Sequence, residues 1–269
     1  MRRLLTVVLA GLLLTASLDA ATVDGVRVHS TSAGSGPATI VFVHGWTCDT
    51  SSWTYQVPAF EGDYRVISLD LPGHGRSESP GDGRFSMDLF ARAVEAVRAE
   101  AGADRIVLVG HSMGVPVIRQ YAIAHPDRVA GLVAVDGPLD LRAFGGGGAP
   151  PSAVTREMRE TMIRGMFVPE TPEALRTQIM SMMMGAPEAT ANGAMAAMFD
   201  PSIRTTDVIR APALAVYAGS AQVPEHETTR QVVPNLEATQ VAGTGHFLMM
   251  EKPQEFNRLL RAFLDRIDF

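Results

Sequence analysis

The sequence predicts an α/β fold built on a doubly wound, mostly parallel sheet. Short runs of apolar, largely β-branched residues alternate with segments of helical periodicity, at the spacing of consecutive βα units. The runs are continuously apolar, so their strands are expected to be buried on both faces. After Asp136 the alternation stops, and residues from about 152 to 206 show helical patterns without a strand. This break predicts a helical insertion that covers the sheet as a cap.

The first twenty residues differ in composition from the rest of the chain. Arg2 and Arg3 precede an apolar run (residues 4–14) and then small residues up to Ala20. This order is typical of a secretory signal peptide, so we expect residues 1–20 to be cleaved near Ala20 and the mature chain to be exported. The run is shorter than the roughly 20 residues of a membrane span, so no stable membrane insertion is expected after cleavage. An uncleaved N-terminal anchor is the alternative.

Composition restricts the class of protein. The chain has 269 residues, of which 46% are hydrophobic, and this suits a single globular domain with a large core. The formal charge is −6 and no block of Lys or Arg occurs, so a nucleic-acid partner is not expected. The one cysteine, Cys48, cannot form an internal disulfide and is expected to be a packed apolar residue.

Each predicted element follows from a local pattern. The first segment, residues 23–29, predicts one or two edge strands. The core strands are predicted at 39–43, 65–69, 106–109, 132–135, 212–218 and 237–241, and the core helices at 87–101, 115–124 and 253–267. The core therefore comprises residues 21–136 and 207–269, and the helical cap comprises 137–206. Within the cap, a glycine run at 145–148 is either a hinge or a loop, and clustered methionines fill the core or line an apolar pocket.

The whole chain is organised around Ser112. This serine stands between Gly110 and Gly114, after a buried strand and before a helical stretch. A strand, a glycine-flanked turn and a helix are the context of a Gly-x-Ser-x-Gly nucleophile elbow, which raises the serine at the carboxyl edge of the sheet. The alternative is an ordinary turn with a serine helix cap.

A nucleophilic serine needs a base and an oxyanion hole. Of the seven histidines, His246 is the best candidate base, because it follows the last predicted strand and two glycines. The expected oxyanion donors are the backbone N–H groups of Met113, directly after the serine, and of Trp46, in the loop after the strand at 39–43. His44 is expected to shape that loop.

These motifs resemble the α/β-hydrolase superfamily, in its branch of small capped serine esterases and haloperoxidase-like and dehalogenase-like enzymes. The matching segments are 44–46 (His-Gly-Trp), 70–77, 110–114, 245–247 (Gly-His-Phe) and 251–253 (Glu-Lys-Pro). The resemblance implies a mostly parallel sheet of the eight-stranded type, with a helical cap over the crevice. A serine at the elbow argues against dehalogenase or epoxide-hydrolase chemistry, which uses an aspartate there in this superfamily.

The resemblance leaves a choice for the acid that orients His246. Many relatives carry an aspartate just after the strand that corresponds to residues 213–218, where this chain has Gln222. Other relatives carry the acid one strand earlier, and Asp136 fits that position. We therefore predict a Ser112, His246 and Asp136 triad. The weaker candidates for the acid are Asp140, Glu225 and Glu227.

The predicted function is hydrolysis of the carboxylic ester, or a related acyl bond, of a small and apolar substrate through an acyl-enzyme. No cofactor is expected, because the histidines lack the paired spacing of a zinc site and no dinucleotide-binding glycine motif follows a strand. Other reactions are open at the same site: lactone or amide hydrolysis, carbon–carbon bond hydrolysis and cofactor-free perhydrolysis. A non-catalytic, ligand-binding homologue is a further alternative.

Overall fold

The fold is built on a single large sheet, and residues near the N-terminus form a separate two-stranded hairpin. The structure is a computed structural model that describes residues 16–17, 21–142, 153–222 and 226–268. Within these residues the sheet has eight strands. In spatial order they are β1 (Ala16–Ser17), β4 (Ser30–Ala33), β6 (Arg65–Leu69), β5 (Thr39–Val43), β7 (Ile106–His111), β8 (Val129–Val135), β9 (Ala213–Ala218) and β10 (Leu236–Val241); the hairpin is β2 (Ala21–Val23) and β3 (Val26–Val28).

The six strands from β5 to β10 all run parallel to one another. The strand β4 pairs antiparallel with β6, and β1 pairs antiparallel with β4. Every residue of β5, β7, β8 and β9 is buried, as expected for strands covered by helices on both faces. The predicted fold class is therefore confirmed: a doubly wound, mostly parallel sheet of eight strands.

Nine α-helices connect the strands within the described part of the chain. They are α1 (Val57–Phe60), α2 (Met87–Glu100), α3 (Gly114–Ala124), α4 (Arg156–Arg164), α5 (Glu173–Gly185), α6 (Glu188–Phe199), α7 (His226–Val232), α8 (Leu248–Glu251) and α9 (Pro253–Leu264). The longest, α2, begins where the Ser86 hydroxyl accepts a hydrogen bond from Leu89 N–H, which is an N-cap contact. The short helices α1, α7 and α8 are not among the sequence predictions, because segments of four to seven residues leave little periodic pattern to detect.

The edge of the sheet differs from the prediction for residues 23–29. These residues do not form an edge strand; they belong mostly to the β2–β3 hairpin, which packs against α2. The cause is the Asp24-Gly25 pair, whose φ angles of 50° and 79° make the tight turn of a two-residue hairpin. The antiparallel edge of the main sheet is built instead from β4 and β1.

The helices α4, α5 and α6 form one group, which we call the cap helices. They lie in residues 153–206, where the structure contains no strand. They touch the loops at the carboxyl ends of the parallel strands: Thr190 Oγ1 donates to Gly73 O at 2.9 Å, and Met182 Sδ accepts from Ser51 Oγ at 3.3 Å. The cap helices therefore lie over the edge where Ser112 is found.

Two predictions lie largely outside the described residues. One is the signal peptide at 1–20, of which only the backbone of Ala16–Ser17 is described, and the other is the glycine run at 145–148. Among the described residues, no helix combines the length and apolar character that a membrane crossing requires.

Candidate active site

Ser112 occupies a sharp turn between β7 and α3. Its φ is 52°, a left-handed conformation that is rare for residues with a side chain. A Cβ at Gly110 would lie 2.5 Å from Gly114 O, and a Cβ at Gly114 would lie 2.4 Å from Val43 O. Both positions thus require glycine, because the turn presses the start of α3 against the neighbouring strand. This is the geometry of a nucleophile elbow.

Asp136 stands at the same edge, directly after β8. Its backbone N–H continues the sheet by donating to Val216 O at 2.9 Å, and its φ of 45° turns the chain out of the strand. One carboxylate oxygen, Oδ1, accepts from Ala218 N–H at 2.8 Å. The other, Oδ2, accepts from His246 Nδ1–H at 2.5 Å.

These contacts determine the charge of Asp136. Burial by itself would raise the pKa of the carboxyl group, but the hydrogen bond and charge of His246, with the N–H of Ala218, lower the pKa overall. The carboxylate is therefore ionised at neutral pH. Its contact with Nδ1 leaves Nε2 of His246 as the unprotonated nitrogen of the neutral ring.

His246 lies in the loop between β10 and α8, and its backbone is held from both directions. Gly245 N–H donates to Glu251 Oε2 at 2.7 Å, and His246 N–H donates to Met166 O at 3.0 Å. A Cβ at Gly245 would lie 2.5 Å from Met166 O, so this approach of the loop to the segment after α4 requires glycine. The position of His246 therefore depends on contacts with the cap segment.

His111, the residue before the serine, connects the elbow to His246. Its Nε2–H donates to His246 O at 2.9 Å, and the two imidazole rings lie 4.8 Å apart. Within the described part of the chain, Ser112 Oγ makes no hydrogen bond with His246. Hydrogen bonds between a nucleophile and its base are often long in free enzymes and shorten when substrate binds.

Two backbone N–H groups beside Ser112 are free to act as donors. Neither Trp46 N–H nor Met113 N–H makes a hydrogen bond to any described residue. The Gly45 position is close to the elbow, since a Cβ there would lie 3.2 Å from Ser112 Cβ. Met113 precedes the first turn of α3, whose N-terminus also favours negative charge. This arrangement suits an oxyanion hole.

The structure separates the candidates for the acid. Asp140 is paired with Arg142 at 2.7 Å, and Glu227 is exposed on α7. Gln222 is exposed in the loop after β9, and Glu225 lies outside the described residues. Among the described candidates, only Asp136 contacts His246.

Several other residues near the site are buried and uncharged. Burial lowers the pKa of His74 and of His111 to about 3, and it also lowers the pKa of His44. Burial raises the pKa of the Cys48 thiol to about 12, consistent with a packed residue. No group of three or more metal-ligating side chains occurs in the described residues.

The contacts between the site and the cap were not predictable from the sequence. The indole Nε1–H of Trp46 donates to Ala191 O on α6 at 2.8 Å, just as His246 N–H donates to Met166 O. The acceptors are backbone carbonyl groups, which every residue has. No side-chain type in the cap could therefore have indicated these contacts.

The profile of the α/β hydrolase fold family matches residues 38–164, which include β5 to β8 and the elbow. The chain has the fold of the α/β-hydrolase superfamily. A solved structure of Est816, described as an N-acyl homoserine lactone degrading enzyme, is 27% identical and has a TM-score of 0.75, with 91% of this chain and 100% of that chain covered.

Curated relatives have more varied activities. The 2-hydroxy-6-oxononadienedioate/2-hydroxy-6-oxononatrienedioate hydrolase of Paraburkholderia phymatum is 29% identical over 89% of this chain and 91% of its own length. A dihydrolipoyllysine-residue acetyltransferase component of the acetoin cleaving system, from Cupriavidus necator, is 27% identical over 93% of this chain. The chain spans only about two thirds of such components, 69% of this one and 64% of that from Pseudomonas putida. The chain is a hydrolase of the α/β type.

Proposed function

We propose that the chain is a serine hydrolase that cleaves the carboxylic ester of a small, apolar substrate. The observation that carries the proposal is the 2.5 Å contact between Asp136 Oδ2 and His246 Nδ1, at the sheet edge that also presents Ser112. A carboxylate on Nδ1 orients the ring and stabilises its protonated form, which is the role of the acid in a serine triad. The chain order Ser, Asp, His is that of α/β hydrolases.

In the proposed reaction, His246 Nε2 takes the proton of Ser112 while the serine oxygen attacks the ester carbonyl carbon. The N–H groups of Trp46 and Met113 hold the oxygen that becomes negatively charged. Collapse of the tetrahedral intermediate releases the alcohol, which takes the proton from His246, and leaves an acyl-enzyme on Ser112. Water then gives its proton to His246 and attacks the acyl group, which releases the carboxylic acid and restores the serine.

The apolar character of the substrate is inferred from the cap. Its buried residues include Ile163, Ile179, Met183 and Met195, and the partly buried Met166 and Met180 pack against the same core. Flexible, unbranched methionine side chains adapt to acyl groups of different shape.

Lactone hydrolysis is the second candidate, because a lactone is a cyclic ester and the same groups would cleave it. It is favoured by the similarity to Est816, described as an N-acyl homoserine lactone degrading enzyme. The two candidates differ only in substrate, so a panel of both substrate classes separates them.

The test is hydrolysis of p-nitrophenyl esters of increasing chain length and of N-acyl homoserine lactones, with Ser112→Ala and the exposed-site control Ser35→Ala. We expect turnover in the wild type and in Ser35→Ala, and a loss of about 10⁴-fold or more in Ser112→Ala. A folded wild type that turns over no substrate, and whose Ser112 resists a fluorophosphonate, would instead be a ligand-binding homologue. Labelling of Ser112 without turnover would retain the nucleophile but exclude these substrates.

A further inference from the structure

The peptide group between Gly45 and Trp46 is held from behind by the imidazole of His44. Gly45 O accepts a hydrogen bond from His44 Nδ1–H at 2.8 Å and a second from Cys48 N–H at 3.2 Å. This peptide bond is trans, so its C=O and N–H groups point in opposite directions. A carbonyl that is bound to His44 therefore directs the Trp46 N–H away from the His44 ring.

The other side of this peptide faces the elbow. A Cβ at Gly45 would lie 3.2 Å from Ser112 Cβ and 3.3 Å from His111 O, so this loop and the serine are in close contact. Trp46 is 3% exposed, yet its N–H makes no hydrogen bond to any described residue. Buried backbone N–H groups are rarely left unpaired, and one beside a nucleophile is available to a substrate oxygen.

The His44 ring has only one orientation and one proton position that satisfy its neighbours. The ring is fully buried, and its Nε2 accepts a hydrogen bond from Leu71 N–H at 3.0 Å. Nε2 therefore carries no proton, and Nδ1 is the nitrogen that donates to Gly45 O. The ring of His74, 5.0 Å away, packs against it. The loop after β6 thus determines how His44 presents its N–H.

We propose that His44 is a positioning residue of the oxyanion hole. Its Nδ1–H holds the Gly45 carbonyl so that the Trp46 N–H faces the oxygen of the reacting ester. The same hydrogen bond strengthens Trp46 N–H as a donor, because hydrogen bonds in a chain polarise one another. This inference rests on the proposed serine-hydrolase function, and it assigns His44 an effect on the transition state without contact with the substrate.

The test compares an ester with its thionoester, whose sulfur accepts hydrogen bonds less well than the carbonyl oxygen of the ester. In His44→Leu we expect kcat for the ester to fall by about 10- to 100-fold with KM little changed, which is less than the 10²–10³-fold cost of losing a whole oxyanion donor. The thionoester rate should fall less, so the ester-to-thionoester ratio of kcat/KM decreases.

The conservative variant is His44→Asn, whose amide N–H can replace Nδ1–H, and it should recover most of kcat and of the ratio. The matched control is His125→Asn, at the far end of α3, which should behave as the wild type. Thermal unfolding of each variant establishes that it is folded. An unchanged ester-to-thionoester ratio in a folded His44→Leu would overturn the proposal.

A second measurement determines the position of the proton directly in the wild type. Nitrogen NMR of the wild type, labelled in its imidazole rings, identifies the protonated nitrogen of each histidine, with assignment through His44→Asn. We expect His44 to be protonated on Nδ1 alone. Protonation on Nε2 would overturn the inference while leaving Ser112 active, whereas absence of ester turnover and of Ser112 labelling would overturn the proposed function and this inference together.

Discussion

The two sides of the candidate site are held in place by different means. On the core side, Ser112 and Asp136 continue the hydrogen-bond ladder of the sheet: Ser112 N–H donates to Val135 O and Asp136 N–H to Val216 O, both at 2.9 Å. These residues directly follow buried strands, so the sheet itself determines their separation. Their positions require no contact from the cap.

On the cap side, the same type of bond crosses to another part of the chain. His246 N–H donates to Met166 O, and the Trp46 indole donates to Ala191 O. The proposed base and one proposed oxyanion donor thus depend on how the cap segment packs against the core. Changes on the core side should therefore abolish the chemistry, whereas changes on the cap side should weaken it.

The largest effect should come from the core side, in Asp136→Asn. The variant keeps the shape of the side chain but removes the charge that stabilises protonated His246, so we expect kcat to fall by about 10⁴-fold. The measurement is ester hydrolysis in the steady state. The matched control is Asp140→Asn, which breaks only the contact with Arg142 and should keep near-wild-type activity. Full activity in Asp136→Asn would show that another group serves as the acid.

A smaller effect on stability should follow from the buried histidines of the core side. Since burial lowers the pKa of His74 and of His111 from 6.5 to about 3, both are neutral in the folded chain. The unfolded chain binds protons at both positions below about pH 6.5. The contribution of each neutral, buried histidine to the free energy of unfolding is therefore complete above about pH 6.5 and is lost as the pH falls towards 3. At pH 5 the loss is about 2 kcal/mol for each histidine.

Urea denaturation at pH 5 and at pH 7.5 measures this dependence. His74→Leu removes one of the two side chains that bind a proton only in the unfolded chain. The difference in unfolding free energy between the two pH values should therefore be smaller in this variant than in the wild type. The depressed pKa of Asp136 adds a loss of stability only at lower pH, as the carboxylate becomes protonated. Equal differences in the wild type and in His74→Leu would contradict the prediction.

The smallest effect should come from the cap side, in Trp46→Phe. This change removes the buried indole hydrogen bond to Ala191 O, at a cost of about 1 kcal/mol, or roughly fivefold in kcat/KM. The matched control is Trp53→Phe, because the buried Trp53 Nε1–H has no partner among the described residues. If both variants lose the same activity, the cap contact has no role in holding the oxyanion loop.

Much of the fold was predictable because its signals are local. Continuous apolar runs predicted the strands of the parallel sheet, and helical periodicity predicted α2, α3 and α9. The edge was predicted wrongly, because the Asp24-Gly25 turn was not recognised as the turn of a tight hairpin. The elbow was predictable for a steric reason, since Gly110 and Gly114 each lie within 2.5 Å of a backbone oxygen when a Cβ is added.

The candidate site was only partly predictable from the same patterns. The sequence by itself pointed to Ser112 and His246, because each follows a strand within a short glycine-containing motif. Only the family resemblance favoured Asp136 over Asp140, Glu225 and Glu227 as the partner of His246, since a carboxyl group after a strand has no further local signature. The tertiary structure alone decided that Asp136 reaches His246, at 2.5 Å.

The tertiary structure also decided every contact between backbone groups of distant segments. The bonds of Met166 O to His246 and of His44 to Gly45 O depend on peptide groups that are chemically the same at almost every residue. Side-chain types therefore determined where the strands and the elbow lie along the chain. Only the packing of the segments in space determined which peptide groups hold His246 and direct the Trp46 N–H.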